Sequence, residues 1–447
     1  MNTLGIGGVP SIQPTQTEIN IHEENMNHLM EKVLERENLK RAFERIKRNK
    51  GAPGIDGMKV EELQEFLKIN WKAIREALMN GTYKPSPVRR FEIPKPDGGV
   101  RELGIPTVLD RFLQQAIQQV LTPIFEPTFS NSSYGFRPKR SARQAVTQAQ
   151  QKIQQGKSWV VDIDIEKFFD RVNHDILMGK LFKQIKDRRI LQLIRRYLES
   201  GVMINGCCVA TEEGTPQGGP LSPLLANIML NDLDKELERR GHAFVRYADD
   251  CNIYVKSKRA GERVYRSVKR FIEDKLKLKI NEAKSAVARP WKRKFLGFSV
   301  TSQKQTKLRL APRTIEKFKE KVKEITRGLI STSIGKRIEK LNEYIKGWIG
   351  YYYVAEAKEI LDDLDKWIRR RLRMCLLKQW KRCKTKLRNM ISRGLEESWA
   401  ANIAYSRKKY WRLSKTAQMN KALDNAYWQE QGLENLVERY CNLRKAL

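Results

Sequence analysis

The sequence predicts an α+β fold, in which an antiparallel sheet is followed by a helical bundle and a basic, aromatic-rich end. Trp159 to Ile165 is an apolar run of strand length interrupted by Asp162 and Asp164, which alternation places on one face. Phe244 to Tyr254 reads as two β-prone runs around Asp249 and Asp250, a hairpin with two carboxylates at its tip. Beyond Arg309 the pattern turns helical. Ile315, Phe318, Val322, Ile325 and Leu329 form one apolar stripe, Ile338, Leu341, Ile345, Trp348 and Tyr352 a second, and Ile368, Leu372, Leu376 and Trp380 a third.

Taken in order, Met1 to Thr17 is rich in Gly, Pro, Ser and Thr and reads as a disordered lead-in without the basic start and apolar core of a signal peptide. Asn20 to Asn49 carries Leu29, Val33, Leu39, Phe43 and Ile46 at helical spacing, and Gly51-Ala-Pro-Gly54 ends that helix. A second helix runs near Val60 to Met79. Val88 to Ile93 is a basic strand, and Lys95-Pro-Asp-Gly-Gly99 a hairpin turn flanked by Arg89, Arg90, Lys95 and Arg101. Pro106 to Phe125 is a helix with a Gln-rich face, and Tyr134-Gly-Phe-Arg-Pro138 a turn before a helix starting near Ser141. Gly214 to Pro223 is a long Gly- and Pro-rich loop leading into a helix over Leu224 to Arg239. Glycines let backbone approach a ligand closely, and prolines fix a loop's shape. A helix near Gly261 to Leu276 and an aromatic hairpin over Lys294 to Val300 complete this part.

Composition narrows the partners. The 447 residues carry a formal net charge of +35 and a pI near 9.9, which points to a polyanion, either nucleic acid or an anionic membrane surface. No apolar run approaches the ~20 residues of a membrane span, which favours nucleic acid. Six cysteines without metal-type pairing suit a reduced cytoplasmic protein, and four histidines are too few for a His-based metal site or nuclease module. Residues 301 to 447 hold 35 Lys and Arg against 16 Asp and Glu, a net +19. Within them Lys366 to Arg388 has eleven basic residues and no acid, read as one helix whose self-repulsion a phosphate backbone would relieve. Trp399, Tyr405, Tyr410, Trp411, Tyr427 and Trp428 either stack on bases or form a small core.

Two acidic sites require explanation. Adjacent carboxylates at a turn repel each other, so Asp249-Asp250 is either a plain turn or a site for a divalent cation, and Mg²⁺ suits hard oxygen ligands of this kind. A charge on a buried strand is costly unless paired or metal-bound, which applies to Asp164. If strand and hairpin are neighbours in one sheet, Asp164, Asp249 and Asp250 converge and can hold two Mg²⁺ ions about 4 Å apart for in-line phosphoryl transfer.

In their order along the chain, Asp164-Ile-Glu-Lys-Phe-Phe169, Thr215-Pro-Gln-Gly-Gly-Pro-Leu-Ser-Pro223 and Tyr247-Ala-Asp-Asp250 resemble motifs A, B and C of reverse transcriptases. The fuller pattern resembles the bacterial group II intron-encoded reverse transcriptases with maturase activity. Gly51 to Gly57, Leu103 to Thr107 and Ser133 to Pro138 match N-terminal and finger segments; Asn281 to Ser285 and Phe295 to Phe298 match later palm segments. Tyr344 to Trp348 with Tyr351 and Tyr352 resembles the thumb.

That resemblance implies a right-hand polymerase: a lead-in at 1–20, an N-terminal extension and fingers at 21–150, a palm at 151–305, a helical thumb at 306–390 and a basic DNA- and RNA-binding region at 391–447. It implies two Mg²⁺ ions on Asp164, Asp249 and Asp250, and leaves Asp162 a structural role. Phe169 matches the steric gate against a ribose 2′-hydroxyl. Arg89, Lys95, Arg101 and Ile105 match finger residues around the dNTP, Pro216, Gln217 and Pro220 the loop along the nascent base pair, and Ala248 a nucleotide-site residue. Lys284 matches a proton donor to pyrophosphate. Lys366, Arg369, Arg370, Arg371, Arg373, Lys378, Lys381 and Arg382 are the candidate nucleic-acid contacts. The implied partners are group II intron RNA, an RNA template with a DNA primer, target DNA and dNTPs, with no membrane.

The chain lacks the length and histidines of the endonuclease-bearing members, so it resembles the compact group IIC branch, which needs a pre-existing primer. Three other readings stay open: an RNA-dependent RNA polymerase, which Phe169 opposes; a non-catalytic RNA-binding splicing cofactor, which the intact acids oppose; and a host-domesticated reverse transcriptase in repair or defence.

Overall fold

The structure is a computed structural model describing residues 27–94, 100–204, 207–209, 214, 218–303, 305–327 and 332–446, without the side chains of 101–102 and 202–209. The expected lead-in, Lys95 with the rest of its turn, Pro216 and Gln217 lie outside the described residues. The chain divides into two compact units. The first takes in residues up to Ala145 and Lys157–Ala288, the second Val146–Gly156 and Arg289 onward.

The first unit opens with α1 (Leu29–Val33) and α2 (Arg36–Asn49), two helices where the periodicity predicts one. The break follows from tertiary ties. The Met30 amide donates to Asp187 at 2.9 Å and Glu31 forms a two-pronged pair with Arg189, so α1 is held against a later helix while Glu35 turns extended to start α2. A 3₁₀ turn at Val60–Glu62 leads into α3 (Leu63–Met79). Next come β1 (Val88–Pro94), β2 (Val100–Ile105) and α4 (Val108–Phe125), whose N-terminus is capped by Thr107 accepting from the Asp110 amide. Helix α5 (Ala142–Gln154) is followed by β3 (Trp159–Ile163), two residues shorter than predicted.

The sequence between motifs A and B also holds α6 (His174–Gln184), α7 (Arg188–Glu199), β4 (Val202–Ile204) and β5 (Cys207–Val209). Helix α8 (Ser222–Arg239) leads into the hairpin of β6 (Ala243–Tyr247) and β7 (Asp250–Val255), then α9 (Lys258–Lys275) and β8 (Ala286–Ala288). The strands form two four-stranded sheets, ordered β2-β1-β4-β5 and β6-β7-β3-β8. In the second, every neighbour is antiparallel. Its aliphatic face is covered by α9, where Gly261 lies so close to Val287, Val255 and Val161 that a methyl group would sit 2.5 Å from the Val287 side chain.

In the second unit β9 (Phe298–Val300) pairs with β10 (Leu308–Leu310). This hairpin, placed by sequence at the end of the palm, belongs to the core of the helices that follow: α10 (Pro312–Arg327), α11 (Ile334–Tyr352) and α12 (Lys358–Gln379). Aromatic rings knit that core: Phe318 lies 4.6 Å from Trp348 and 5.4 Å from Tyr344, and Phe298 lies 5.1 Å from Tyr352. Six short helices close the chain: α13 (Cys383–Ile391), α14 (Glu397–Ala404), α15 (Tyr410–Leu413), α16 (Ala417–Ala422), α17 (Asn425–Glu430) and α18 (Leu436–Lys445). Among the described residues no helix is long and apolar enough to cross a membrane.

The single basic helix expected over Lys366 to Arg388 is corrected: α12 ends at Gln379, Trp380 is buried, and α13 restarts at Cys383. The run is also less uncompensated than its composition suggests, because Lys366 pairs with Asp362 one turn back. Of the six C-terminal aromatics, Trp428 is core, whereas Trp399, Tyr405 and Trp411 are exposed.

Asp365, buried on α12, accepts the Leu436 and Val437 amides at 3.1 and 3.2 Å and so fastens the last helix. Burial raises its carboxyl to about 6 against the pull of those amides. A folded pKa above the unfolded value means the folded chain holds an extra proton in between. The contribution is thus fully present below about pH 4 and lost by about pH 6, on the order of 3 kcal/mol. Asp365→Asn is expected to remove this slope. Denaturant unfolding of both proteins at pH 4 and pH 7 should show the variant gaining on wild type as pH rises, and an equal difference at both would refute the assignment.

Candidate active site

Strand register brings the two acidic segments together. In the antiparallel pair β3–β7, Asp162 faces Asn252 and Ile163 faces Cys251. The paired register ends there, so Asp164 and Asp250 are the next residues along the two neighbouring strands. Tyr247 pairs with Asp250 across the hairpin, leaving Ala248 and Asp249 as its two-residue turn. Asp162, Asn252 and Asp250 therefore share the face opposite α9, and Asp164 follows directly on β3. Asp164 and Asp249 are half-buried and Asp250 is exposed, so the carboxylate end of the sheet is reached from solvent.

Both halves of this site are held by main-chain contacts to distant segments. The Asp164 amide donates to Ser285 Oγ at 2.9 Å, and its carbonyl accepts the Asn281 amide at 2.9 Å. The Asn281–Ser285 turn is thereby fixed to Asp164, and exposed Lys284 sits within it. The hairpin turn is wedged from both sides. Ala248 has φ 56°, a left-handed conformation that costs a residue with a Cβ about 1–2 kcal/mol. Its carbonyl accepts Arg246 Nη1 at 2.8 Å. Gly135 backs its amide so closely that a Cβ there would lie 2.3 Å from Ala248 N.

Arg246 is fully buried and donates through Nε and Nη2 to Asp234 at 2.8 and 2.6 Å, and through Nη1 to Asn227 at 3.1 Å. Asn227 in turn donates to the Gly135 carbonyl at 2.8 Å. Burial pushes the Asp234 carboxyl up while Arg246 pulls it back. Burial likewise weighs against the guanidinium, yet the carboxylate outweighs it and the Arg246 pKa is raised. The geometry is that of a two-pronged ion pair.

Phe169 lies five residues beyond Asp164, half-buried and edge-on to buried Phe168 at 5.2 Å. Gly214, at φ 101°, lies against it: a Cβ would be 2.9 Å from the Phe169 carbonyl. At the loop's other end, Gly218 and Gly219 approach the Gly104 carbonyl and Gln114, and Pro220 follows at the start of α8. Gly214 thus meets the Phe169 backbone, and Gly218 the strand that carries Ile105. On β1, Arg89 pairs in register with Ile105, and Ile93 with Arg101. Alternation puts Arg89, Ile93 and Ile105 on one face of the hairpin. Arg89 Nε is buried without a hydrogen-bond partner.

Among the described residues, no three His, Cys, Asp or Glu side chains are gathered as around a metal ion. The donor set nonetheless fits hard divalent cations: three carboxylates at adjoining strand ends, open to solvent, with neighbours fixed by backbone bonds. The cations of the second unit divide. Lys366, Lys378, Lys381 and Arg382 are exposed, Arg369 is half-exposed, and Arg370 lies 3.8 Å over the Trp411 ring. Arg371 donates to Thr326 at 2.7 Å. The expectation for Arg373 is corrected: it is buried, and donates to the Ser414 and Leu423 carbonyls as part of the packing of the unit.

Residues 93–300 match the family model described as reverse transcriptase (RNA-dependent DNA polymerase), and residues 315–393 that of the group II intron, maturase-specific domain. Protein YkfC of Escherichia coli is 34% identical over 279 residues, covering 54% of this chain and 73% of that protein. The chain belongs to the group II intron reverse transcriptase/maturase family. The group II intron-encoded protein LtrA of Lactococcus lactis is 32% identical over 325 residues, 58% of this chain and 54% of LtrA. The putative COX1/OXI3 intron 1 protein of Saccharomyces cerevisiae is 30% identical over 54% of this chain and 28% of its own length. The chain thus spans about half of LtrA and a smaller share of the yeast protein. A solved partial Cas6-RT-Cas1–Cas2 complex aligns with 55% of this chain and 42% of its own, at 27% identity and a TM-score of 0.35. Enzymes of the reverse transcriptase family generally use divalent metal ions.

In this reverse transcriptase, Arg246, Asp234, Asn227, Gly135 and Ser285 shape the site but are absent from the sequence-predicted set. Gly135 and Ser285 lie in segments that the resemblance marks, and Arg246 shows itself as a charge inside an apolar strand, but none of these signals says what the residue holds. Gly135→Ala is expected to displace the Ala248 turn, lower stability by about 1–3 kcal/mol and reduce any nucleotidyl transfer. Thermal melting with a primer-extension assay checks both, and a fully active, equally stable variant would contradict the wedge.

Proposed function

We propose that this chain is the RNA-directed DNA polymerase of a mobile group II intron, which also binds the intron RNA as a maturase during splicing. In retrohoming it would copy that RNA from a primer in target DNA. The observation that carries the reading is the β3–β7 pairing that ends at Ile163 against Cys251, with Asp164 and Asp250 next along the two strands and Asp249 in the adjoining turn, near Phe169 and Gly214. The reducing cytoplasm of a bacterium is the setting proposed, with buried Cys251 and Cys375 free.

Asp164, Asp249 and Asp250 would hold two Mg²⁺ ions. When bound, these supply activation of the primer 3′-hydroxyl and stabilisation of the leaving pyrophosphate. The remaining work falls to the chain. Arg89, Lys95 and Arg101 neutralise the dNTP triphosphate, and the unpartnered Nε of Arg89 supports that role. Phe169 occupies the space of a 2′-hydroxyl, so rNTPs lose by steric exclusion. Ile105 and Ala248 belong to the nucleotide site, Pro216, Gln217 and Pro220 to the loop along the nascent base pair, and Lys284, on the turn fixed to Asp164, donates a proton to pyrophosphate. Exposed Lys366, Lys378, Lys381 and Arg382, with Arg369, Arg370 and Arg371, meet phosphates of the intron RNA or target DNA.

Asp249→Ala is expected to reduce primer extension by about 10²-fold or more while leaving RNA affinity unchanged, the scale of removing a directed transition-state interaction. Loss of both activities together would sink the division of labour. Phe169→Ala should admit rNTPs in the same assay; unchanged sugar discrimination would remove Phe169 from the gate. Charge reversal at Lys378, Lys381 and Arg382 should weaken RNA binding and flatten its salt dependence, by roughly 0.7–0.9 in log–log slope for each phosphate no longer neutralised. Arg373→Met should instead lower the melting temperature at constant slope, and an unchanged slope in the triple variant would return those cations to solvent.

A further inference from the structure

A carboxylate pair on a two-residue turn is only as well placed as the turn, and Tyr247 to Asp250 contains no residue suited to the left-handed position that Ala248 occupies at φ 56°. Glycine would adopt it freely, whereas alanine has to be held there. The holding contacts come from outside. Arg246 Nη1 meets the Ala248 carbonyl at 2.8 Å, and the same guanidinium is fixed by Asp234 and Asn227, two turns apart on one face of α8. The Arg246 main chain is also locked: its amide donates to the Ser132 carbonyl at 2.9 Å, and its carbonyl accepts the Tyr134 amide at 2.9 Å. Those two residues flank Ser133, whose carbonyl is held by Arg137 at 2.8 Å.

We propose that Arg246 is the positioning residue for Asp249 and Asp250, its guanidinium coupling the turn that carries them to the helix that follows the glycine loop. The inference rests on the polymerase reading, since it assigns the residue a role in holding the metal-binding acids. Arg246 meets the turn at the Ala248 carbonyl, and the charge of Asp249 favours its ionised form. It acts through one carbonyl, and the planar fork lets one side chain bind Asp234 on one side and reach Asn227 and Ala248 on the other. A lysine or an apolar residue at this position supports the strand but cannot hold all three partners.

A role confined to folding predicts something different, and the test separates the two. Removing Arg246 alone strands the Asp234 charge, so the pair is replaced together: Arg246→Met with Asp234→Leu, an exchange that buried ion pairs often tolerate. With the full chain, the expected result is a melting temperature within a few degrees of wild type and unchanged primer–template Kd. The dNTP KM should stay within about twofold, with kcat about 10- to 100-fold lower and the Mg²⁺ midpoint raised severalfold, the scale for residues that orient metal ligands. A folded double variant with wild-type kcat and Mg²⁺ midpoint overturns the proposal.

If that variant does not fold, Asn227→Ala replaces it, removing the hydrogen bonds to Arg246 and Gly135 without disturbing a charge. A raised Mg²⁺ midpoint is again expected, and a fall in activity that only tracks melting temperature, at constant midpoint, overturns the proposal. A wild-type chain that fails to extend any primer counts against the polymerase reading instead. Mn²⁺ binding followed by electron paramagnetic resonance then decides the inference, weaker binding in the variant supporting it and equal binding refuting it.

Discussion

The buried pair of Arg246 and Asp234 is the contact on which the geometry of the first unit turns. Either charge alone at that depth would cost several kcal/mol, and removal of one partner from such a pair typically destabilises by about 3–5 kcal/mol. The structure meets the cost by satisfying the guanidinium on every side, with Asp234, Asn227 and the Ala248 carbonyl as acceptors. Segments far apart in sequence are thereby tied at one point: α8, the β6–β7 hairpin and the Ser132–Gly135 stretch. An apolar side chain would fill the same volume, but would leave the carbonyl of a left-handed alanine without its donor.

Local patterning carried the sheet and its acids. Alternation in Trp159 to Ile165 and the polar break in Phe244 to Tyr254 are backbone-period signals, and all three strands form where those signals lie. Helix α1 broke from α2 because Asp187 and Arg189, more than 150 residues away, compete for it, and no local window contains them. Residues 171–213 were the weakest stretch to read. Helices α6 and α7 begin at Asn173 and Asp187, ordinary N-caps that a systematic search for capping residues would have found. The supports of the acids were illegible for a different reason. Ser285 and Asn281 fall in a segment the resemblance marks, but they act on Asp164 through its main chain, and a backbone partner does not show in the sequence which residue it holds.

The charge excess of the chain is also less uniform than its composition suggests. Several arginines point inward and spend their donors on backbone carbonyls: Arg111 on Ala52, Arg137 on Ser130 and Ser133, Arg337 on Thr326, Arg373 on Ser414 and Leu423. A guanidinium suits this work because five donors in a plane can close several chain ends at once. Part of the +35 is therefore scaffolding. The share available to a polyanion is the exposed set, of which Lys378, Lys381 and Arg382 are examples, together with cations such as Arg370 stacked on an exposed indole.

The clasp between Asp164 and Ser285 spans 121 residues. Its consequence lies in the order of synthesis. Ribosomes add about 5–20 residues per second, so the strand bearing the first acid is made roughly 6–24 s before the hydroxyl that steadies it. Asp249 and Asp250 emerge in that interval, after the residues that hold their own turn. The nascent chain thus carries all three acids before the clasp that steadies the first of them exists, and the polymerase matures only after the whole central sheet has left the exit tunnel.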